Sequence, residues 1–150
     1  MRILVDGDAA GHRDFLVAIS VQSGSELVWV CNYASRPPVE QDGLNLRVVL
    51  TDLDDQAADM VLMNLAQAGD IVITGDLGLA TVCVAKGAAA IGPRGFWYRH
   101  EDLAQRLEWR ALAARLRRGG INIDKKPAAR RLDDWRFEQE LRLALETPSI

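Results

Sequence analysis

The sequence predicts a single α/β domain over residues 1–150, with a mainly parallel sheet of four to five strands. Helices are expected on both faces of the sheet, followed by two C-terminal helices. Short apolar runs alternate with segments of helical periodicity, which is the pattern of strand–helix–strand units. The chain has 150 residues, of which 49% are hydrophobic and 26% charged. These values are typical of one globular domain.

The first half of the chain predicts three strands and two helices. Strands are expected at 2–6, 27–31 and 46–50, where short apolar runs occur. A helix is expected at 10–22, because Phe15, Leu16 and Ile19 share one face. Pro37 and Pro38 predict a loop over 32–43. A second helix is expected at 54–68, capped by Asp54 and ended by Gly69.

The second half predicts two more strands and three helices. Strands are expected at 71–74 and 88–91, on either side of a short helix at 77–86. Two longer helices are expected at 101–118 and 130–146. The pair Gly119-Gly120 and the turn Lys125-Lys126-Pro127 separate them.

Composition excludes several classes of protein. No apolar run reaches the roughly 18 residues that a membrane-spanning helix needs, and the start does not resemble a signal peptide. We therefore expect a cytoplasmic protein with no membrane contact. Cys31 and Cys83 lie in separate apolar segments without the spacing of a zinc site, so we expect buried free thiols.

Charge is unevenly distributed along the chain. Residues 1–80 contain four basic and twelve acidic side chains, a net charge of −8. Residues 81–150 contain fourteen basic and nine acidic side chains, a net charge of +5. An acidic half that suits cations is thus joined to a basic half that suits phosphates, although solvated helix faces would give the same pattern.

Acidic residues follow two of the predicted strands. Asp6 and Asp8 follow the first apolar strand, and Asp76 follows the strand at 71–74. Ligands of parallel sheets bind beyond the carboxyl ends of the strands, so these three acids are expected at the binding edge. Asp59 lies at the border of the apolar face of its helix and is the fourth candidate.

A set of carboxylates without a convergent His or Cys suits the hard cations Mg²⁺ or Mn²⁺. Such ions activate water and stabilise charge on a phosphodiester during hydrolysis. The sequence therefore predicts a metal-dependent nuclease with Asp6, Asp8, Asp59 and Asp76 as metal ligands. Its expected substrate is RNA in preference to DNA, in single-stranded form. The simpler alternative is a polar loop cluster satisfied by backbone amides.

Several segments together resemble the YaiI/YqxD family of bacterial proteins, whose fold is similar to PIN-type nuclease domains. The segments that carry the resemblance are Ile3–Ala9, Ala58-Asp59, Gly69–Ala80 and Lys86–Gly95. The resemblance implies a PIN-like fold, in which Asp6, Asp59 and Asp76 match the acidic, catalytic positions. The family's usual Asp-Ala-Asp-Ala-Cys-Pro start appears here as Asp6-Gly7-Asp8-Ala9-Ala10-Gly11.

Basic residues supply the predicted substrate contacts. Arg94, in a turn after the fifth strand, is the first choice for a phosphate contact, followed by Arg36 and Asn32 in the segment after the second strand. A further basic cluster surrounds Gly119-Gly120 and is flanked by Trp109 and Trp135. Exposed tryptophans would suit single-stranded nucleic acid, but at helical spacing we expect both to be core residues.

Two other functions remain open from the sequence. A non-catalytic PIN-like module would bind RNA or a protein without cleavage. A haloacid-dehalogenase-like phosphatase would use Asp6 as nucleophile and Asp8 as acid and base. The phosphatase is disfavoured because that class also uses a Lys ahead of its last acidic motif, and this chain has no Lys before Lys86. The two histidines form no ligand pair, and we expect surface or capping roles for His12 and His100.

Overall fold

The computed structural model describes residues 1–33, 37–52, 55–120 and 130–146, with only the backbone described at 8–10, 55, 130 and 131. A five-stranded sheet forms its centre, with the strand order β3-β2-β1-β4-β5 and every neighbouring pair parallel. The elements in chain order are β1 (Arg2–Asp6), a 3₁₀ segment (Gly7–His12), α1 (Arg13–Ser23), β2 (Glu26–Asn32), β3 (Asn45–Thr51), α2 (Asp55–Leu65), β4 (Ile71–Ile73), α3 (Leu77–Ala85), β5 (Ala89–Ile91), a 3₁₀ turn (His100–Asp102), α4 (Leu103–Arg118) and α5 (Arg130–Glu146).

Helices cover both faces of the sheet, as predicted. Successive residues of a strand point to opposite faces, so β1 contributes Ile3 and Val5 to one apolar layer and Leu4 to the other. The first layer contains α1 and α5, and the second contains α2 and α3. Because both faces are covered, the central strand β1 is buried from Ile3 to Asp6, which explains its uninterrupted apolar run.

The start of α1 differs from the prediction. Residues 7–12 form a 3₁₀ segment, and the α-helix begins at Arg13 rather than near residue 10. The segment lies against β2 at Gly7, where an added Cβ would be 2.7 Å from the Cβ of Cys31 and 2.9 Å from the carbonyl oxygen of Val30. Only glycine fits this approach, and the chain therefore leaves β1 in a tight turn before it enters the helix.

Other boundaries agree with the sequence to within a few residues. Helix α2 ends at Leu65, before the predicted stop, and Gly69 forms the following turn with a φ of 92°. Helix α5 spans the predicted range, and α4 begins at Leu103 after a 3₁₀ turn. Among the described residues, no helix is long and apolar enough to cross a bilayer.

Candidate functional site

The threonine hydroxyl of Thr74 joins the ends of two neighbouring strands. Asp6 ends β1, and Thr74 directly follows β4, the strand that pairs with it. The fully buried Thr74 Oγ1 donates a hydrogen bond of 3.0 Å to Oδ2 of Asp6, and it accepts one of 3.0 Å from the backbone N–H of Asp76. The carboxylate of Asp6 is thereby fixed at the carboxyl edge of the sheet, where it is only 5% exposed.

Asp76 has two structural connections at this edge. Its backbone N–H contacts Thr74, and its Oδ1 accepts a hydrogen bond of 3.1 Å from the backbone N–H of Leu79. It is therefore the N-cap of α3. Cap and hydroxyl together position Asp76 beside the end of β4, so the structure brings two of the four predicted acids to one edge through a shared partner.

The other two predicted ligands belong to α2 and to the 3₁₀ segment after β1. Asp59 is half-buried in α2, and the side chain of Asp8 lies outside the described atoms. Within the described part of the chain, no group of three or more His, Cys, Asp or Glu side chains is arranged to hold a metal ion. The four-carboxylate site stays a prediction.

The predicted substrate contacts have different surroundings. Asn32 is the last residue of β2 and lies half-buried at the same edge as Asp6. Arg36 lies outside the described residues. Arg94 is exposed, but its Nε lies 3.3 Å from Oδ2 of Asp133, which ties the guanidinium to α5. An Arg94 phosphate contact would compete with this ion pair.

A residue that the sequence did not suggest, Tyr98, supports the edge from the other side. Its hydroxyl donates a hydrogen bond of 3.1 Å to the backbone carbonyl of Thr74. Burial raises the pKa of Tyr98 above its usual value, and the negative charge of Asp76 raises it further, while Arg106 and Arg110 act in the opposite direction. The aromatic segment at 96–98 was the only sequence signal for this contact.

Two arginines of α4 approach the same tyrosine. The guanidinium carbon of Arg106 lies 5.4 Å from the ring centroid of Tyr98, and its Nη2 donates a hydrogen bond of 3.4 Å to the carbonyl of Trp97. Arg110 lies one helical turn further along α4 and also lowers the pKa of Tyr98. The basic half of the chain therefore reaches the acidic edge through α4, whereas the sequence suggested Arg94 and the region around Gly119.

The expectation for His12 is wrong. The side chain is buried, its Nε2 lies 2.7 Å from the carbonyl oxygen of Pro93, and its ring stacks on Phe137 at 3.9 Å between centroids. It makes no side-chain cap for α1. Its role is to link the start of α1 to α5 and to the turn after β5, which a sequence without contacts could not reveal.

The expectation that both tryptophans belong to the core is also wrong. Trp109 on α4 is 61% exposed, and Trp135 on α5 is 62% exposed. The apolar residues that α4 and α5 bury are instead Leu103 and Ala113, and Phe137 and Leu141, respectively. The exposed indole of Trp109 borders a groove of about 590 Å³ along α4.

The two cysteines are free and buried, as predicted. Cys31 lies in the layer with α1 and α5, and Cys83 lies in the layer with α2 and α3. Burial raises the pKa of both thiols, so both are neutral at physiological pH. Neither is a candidate nucleophile or metal ligand.

The donor chemistry of the edge fits a hard divalent cation. Mg²⁺ is usually bound by one or two carboxylates, with water and substrate phosphates completing its coordination. Asp6 and Asp76 provide two carboxylates at adjoining strand ends. Because both thiols are buried, the candidate metal ligands are all oxygen atoms. The residues present therefore match Mg²⁺ or Mn²⁺ in type.

The order of strands and the acidic edge define an α/β protein with a candidate site beyond the carboxyl ends of β1 and β4. The family model for the uncharacterised YaiI/YqxD family matches residues 4–147, and the chain belongs to this family. The resemblance found in the sequence is thereby confirmed.

Relatives that align with most of the chain occur in several bacteria. A UPF0178 protein of Alkaliphilus metalliredigens is 32% identical over 146 residues, covering 97% of this chain and 92% of its own. Another, from Desulfotalea psychrophila, is 35% identical over 139 residues, covering 91% and 92%. A third, from Burkholderia ambifaria, is 36% identical over 124 residues and covers 81% of each chain.

A solved structure also aligns with nearly the whole chain. It is a crystal structure of Rae1 (YacP) from Bacillus subtilis, with a TM-score of 0.47 and 17% identity, covering 97% of this chain and 98% of that one. A likeness at this level carries no conclusion about activity, and the α/β fold described above stands on its own strand order.

Proposed function

We propose that this chain is a metal-dependent PIN-like nuclease that hydrolyses phosphodiester bonds, in RNA in preference to DNA. The observation that carries the proposal is the shared hydroxyl of Thr74, which holds Asp6 and the backbone of Asp76 at one sheet edge. These carboxylates lie at the carboxyl ends of parallel strands, and ligands of such sheets bind beyond those ends.

The proposed site uses the acids that the family resemblance implies. Asp6, Asp59 and Asp76 are the proposed catalytic residues, and Asp8 joins them as a metal ligand. Mg²⁺ or Mn²⁺, when bound, would supply Lewis-acid stabilisation of phosphate charge and a more acidic water.

The protein's own contribution is to position these groups. Thr74 orients the Asp6 carboxylate, and the α3 cap orients that of Asp76. The hydroxyl of Tyr98 donates a hydrogen bond to the Thr74 carbonyl, so hydrogen bonds fix this edge of the sheet before substrate binds. Arg94, Arg36 and Asn32 are the proposed phosphate contacts, and Arg94 would have to leave Asp133 to make one.

The test is cleavage of a labelled single-stranded RNA with Mn²⁺ or Mg²⁺, combined with a Mn²⁺ titration of the protein. We expect cleavage by the wild type that EDTA abolishes. We expect the variants Asp6→Asn and Asp76→Asn to lose about a hundredfold in rate or more, since each removes a charge that would hold the cation stabilising the transition state. Asp76→Asn should also weaken Mn²⁺ binding.

Matched variants separate the site from general damage. Asp42→Asn removes an exposed acid at the opposite end of β3 and should cleave like the wild type. Thr74→Ser keeps the hydroxyl and should retain most activity, whereas Thr74→Val removes it and should lose activity. Cleavage that survives both Asp substitutions would reveal a contaminating nuclease and reject the proposal.

Exposed arginines of α4, such as Arg110, would also serve a second candidate, a non-catalytic module that binds RNA or a protein. Absence of Mn²⁺ binding at millimolar concentration, together with retained RNA binding, would support this module over the nuclease.

The phosphatase alternative gains no support from the structure. Among the residues that the structure describes, the lysine is Lys86. It follows the C-terminal end of α3, while Asp76 caps the N-terminal end. The length of α3 separates them by about 15 Å at 1.5 Å per residue. Lys86 instead donates a hydrogen bond to the carbonyl of Met63.

A further inference from the structure

Helix α4 carries a strongly basic surface beside the acidic edge. It contains five arginines and one glutamate, a net charge of +4 over 16 residues. Arg106 and Arg110 are four residues apart and therefore lie on one side of the helix. Arg106 is anchored by Tyr98 and the Trp97 carbonyl, and Tyr98 in turn contacts Thr74. These contacts connect this side of α4 with the sheet edge at which Asp6 lies.

A groove runs along α4, and Arg106 is part of its wall. The other lining residues are Gln105, Trp109 and Leu112, and two acids, Asp102 and Glu108. Its volume of about 590 Å³ lies within the range of small-molecule sites, roughly 300–1,000 Å³. An exposed indole beside two carboxylates and an amide suits a nucleobase, since the ring can stack and the acids can accept hydrogen bonds from exocyclic amino groups.

Charge decides which part of a ligand lies where. The two acids would repel a phosphate from their part of the groove, whereas Arg106 on its wall and Arg110 one helical turn further along attract one. A single-stranded nucleic acid presents this combination, with accessible bases and a charged backbone. A duplex does not, because its bases are paired and stacked on each other.

We propose that Arg106, Trp109 and Arg110, here called the α4 strip, bind single-stranded RNA, with Trp109 stacking on a base and the arginines holding adjacent phosphates. The proposal extends the nuclease function proposed above, since the strip would lead the strand to Asp6 and Asp76. It adds contacts from α4 to the phosphate contacts proposed for Arg94, Arg36 and Asn32.

The experiment measures fluorescence anisotropy of a short labelled single-stranded RNA, titrated with the full chain in EDTA so that no cleavage occurs. We expect Trp109→Ala to weaken binding about tenfold, because base stacking on an aromatic side chain is worth about 1–3 kcal/mol. Trp135→Ala is the matched control, since this tryptophan is equally exposed but lies on α5. It should leave the affinity within about twofold of wild type.

A second pair of variants tests the arginines. Arg110→Gln should reduce the slope of log K against log salt by about 0.7, the value for one phosphate contact to a single strand. Arg47→Gln removes the same charge from an exposed position of β3, at the far end of the sheet, and should leave the slope unchanged. A duplex RNA of the same sequence should bind more weakly than the single strand.

Several results would overturn the strip. They are equal effects of Trp109→Ala and Trp135→Ala, equal salt slopes for Arg110→Gln and Arg47→Gln, tighter binding of the duplex, and absence of RNA binding. A change of oligomeric state in Trp109→Ala, with RNA affinity intact, would make α4 a protein interface instead. Binding with this pattern but without metal-dependent cleavage would reject the nuclease and leave the strip standing.

Discussion

Helices α4 and α5 both expose a tryptophan, but they attach to the molecule in different ways. Helix α5 buries Phe137 and Leu141 in the layer with α1, and its Asp133, Arg136 and Glu140 contact the segment at 94–97. Helix α4 buries Leu103 and Ala113 and carries most of its arginines on the outside.

The difference concerns which charged side chains pair within the chain itself. Three charged residues of α5 are engaged by the chain itself: Asp133 pairs with Arg94 and Arg136, and Glu140 accepts a hydrogen bond of 3.0 Å from the indole N–H of Trp97. On α4, Arg106 is the arginine with defined contacts to the 97–98 segment. Arg110 and Trp109 on α4 are both exposed and are therefore accessible to a partner.

The largest expected effect concerns the buried ring of α5. Phe137 is fully buried, stacks on His12 and meets Phe15 edge to face. Phe137→Ala should lower the free energy of unfolding by about 3–5 kcal/mol, because it leaves a cavity in the layer. Urea unfolding followed by circular dichroism measures this.

On α4, the corresponding change should be mild. Trp109→Ala should alter the free energy of unfolding by less than about 0.5 kcal/mol, because the side chain is mostly exposed. Comparable losses in Phe137→Ala and Trp109→Ala would mean that α4 is as structural as α5 and would remove the contrast.

A smaller effect is expected where α5 meets the turn after β5. Gly95 has a φ of 90°, and an added Cβ would be 2.5 Å from the backbone nitrogen of Phe137. Gly95→Ala should therefore cost about 2–4 kcal/mol through clash and backbone strain together. The measurement is again the urea midpoint.

A substitution at Gly120, just after α4, tests backbone strain without a steric clash. Its φ of 87° is nearly the same, but an added Cβ would meet nothing within 4 Å. Gly120→Ala should cost only about 1 kcal/mol, the penalty of a left-handed conformation. If both substitutions cost the same, close packing against α5 does not constrain the turn.

The smallest effect concerns pH and the tyrosine between α4 and the acidic edge. The pKa of Tyr98 is raised above 10.0, so the folded state favours the neutral phenol. Its contribution to stability is complete below pH 10.0 and is lost as the pH rises through the folded pKa. Tyr98→Phe should therefore lose stability less steeply above this pH.

Tyr33 provides the control, since it is 71% exposed. Tyr33→Phe should change the free energy of unfolding by less than about 0.5 kcal/mol. Below pH 10, Tyr98→Phe should cost about 1 kcal/mol for the lost hydrogen bond to the Thr74 carbonyl. Identical alkaline slopes in wild type and Tyr98→Phe would contradict the burial that raises this pKa.

The sequence predicted well what depends on strands. Apolar runs located β1 and β4, and parallel strands end at a common edge, so the position of Asp6 and Asp76 followed from local pattern alone. The hydroxyl between them did not follow, because Thr74 looked like one more β-branched residue at a strand end. Its value depends on the register of β4 against β1, which only the assembled sheet defines.

What depends on helix docking was predicted poorly. Trp109 and Trp135 have helical spacing, and spacing alone does not say which face of a helix the body covers. His12 was misjudged for the same reason, because its partners Pro93 and Phe137 are far away in sequence. Helix boundaries are local properties, whereas burial of a helix face is a property of the whole fold.

The hydroxyl at position 74 has only one hydrogen to give. That hydrogen goes to Asp6, while the oxygen receives the N–H of Asp76, so the group acts as donor and acceptor at once. Valine has the right shape and neither capacity, and alanine has neither shape nor capacity. Serine is therefore the one natural replacement that keeps both hydrogen bonds. A library of variants at this residue would show directly whether activity depends on them.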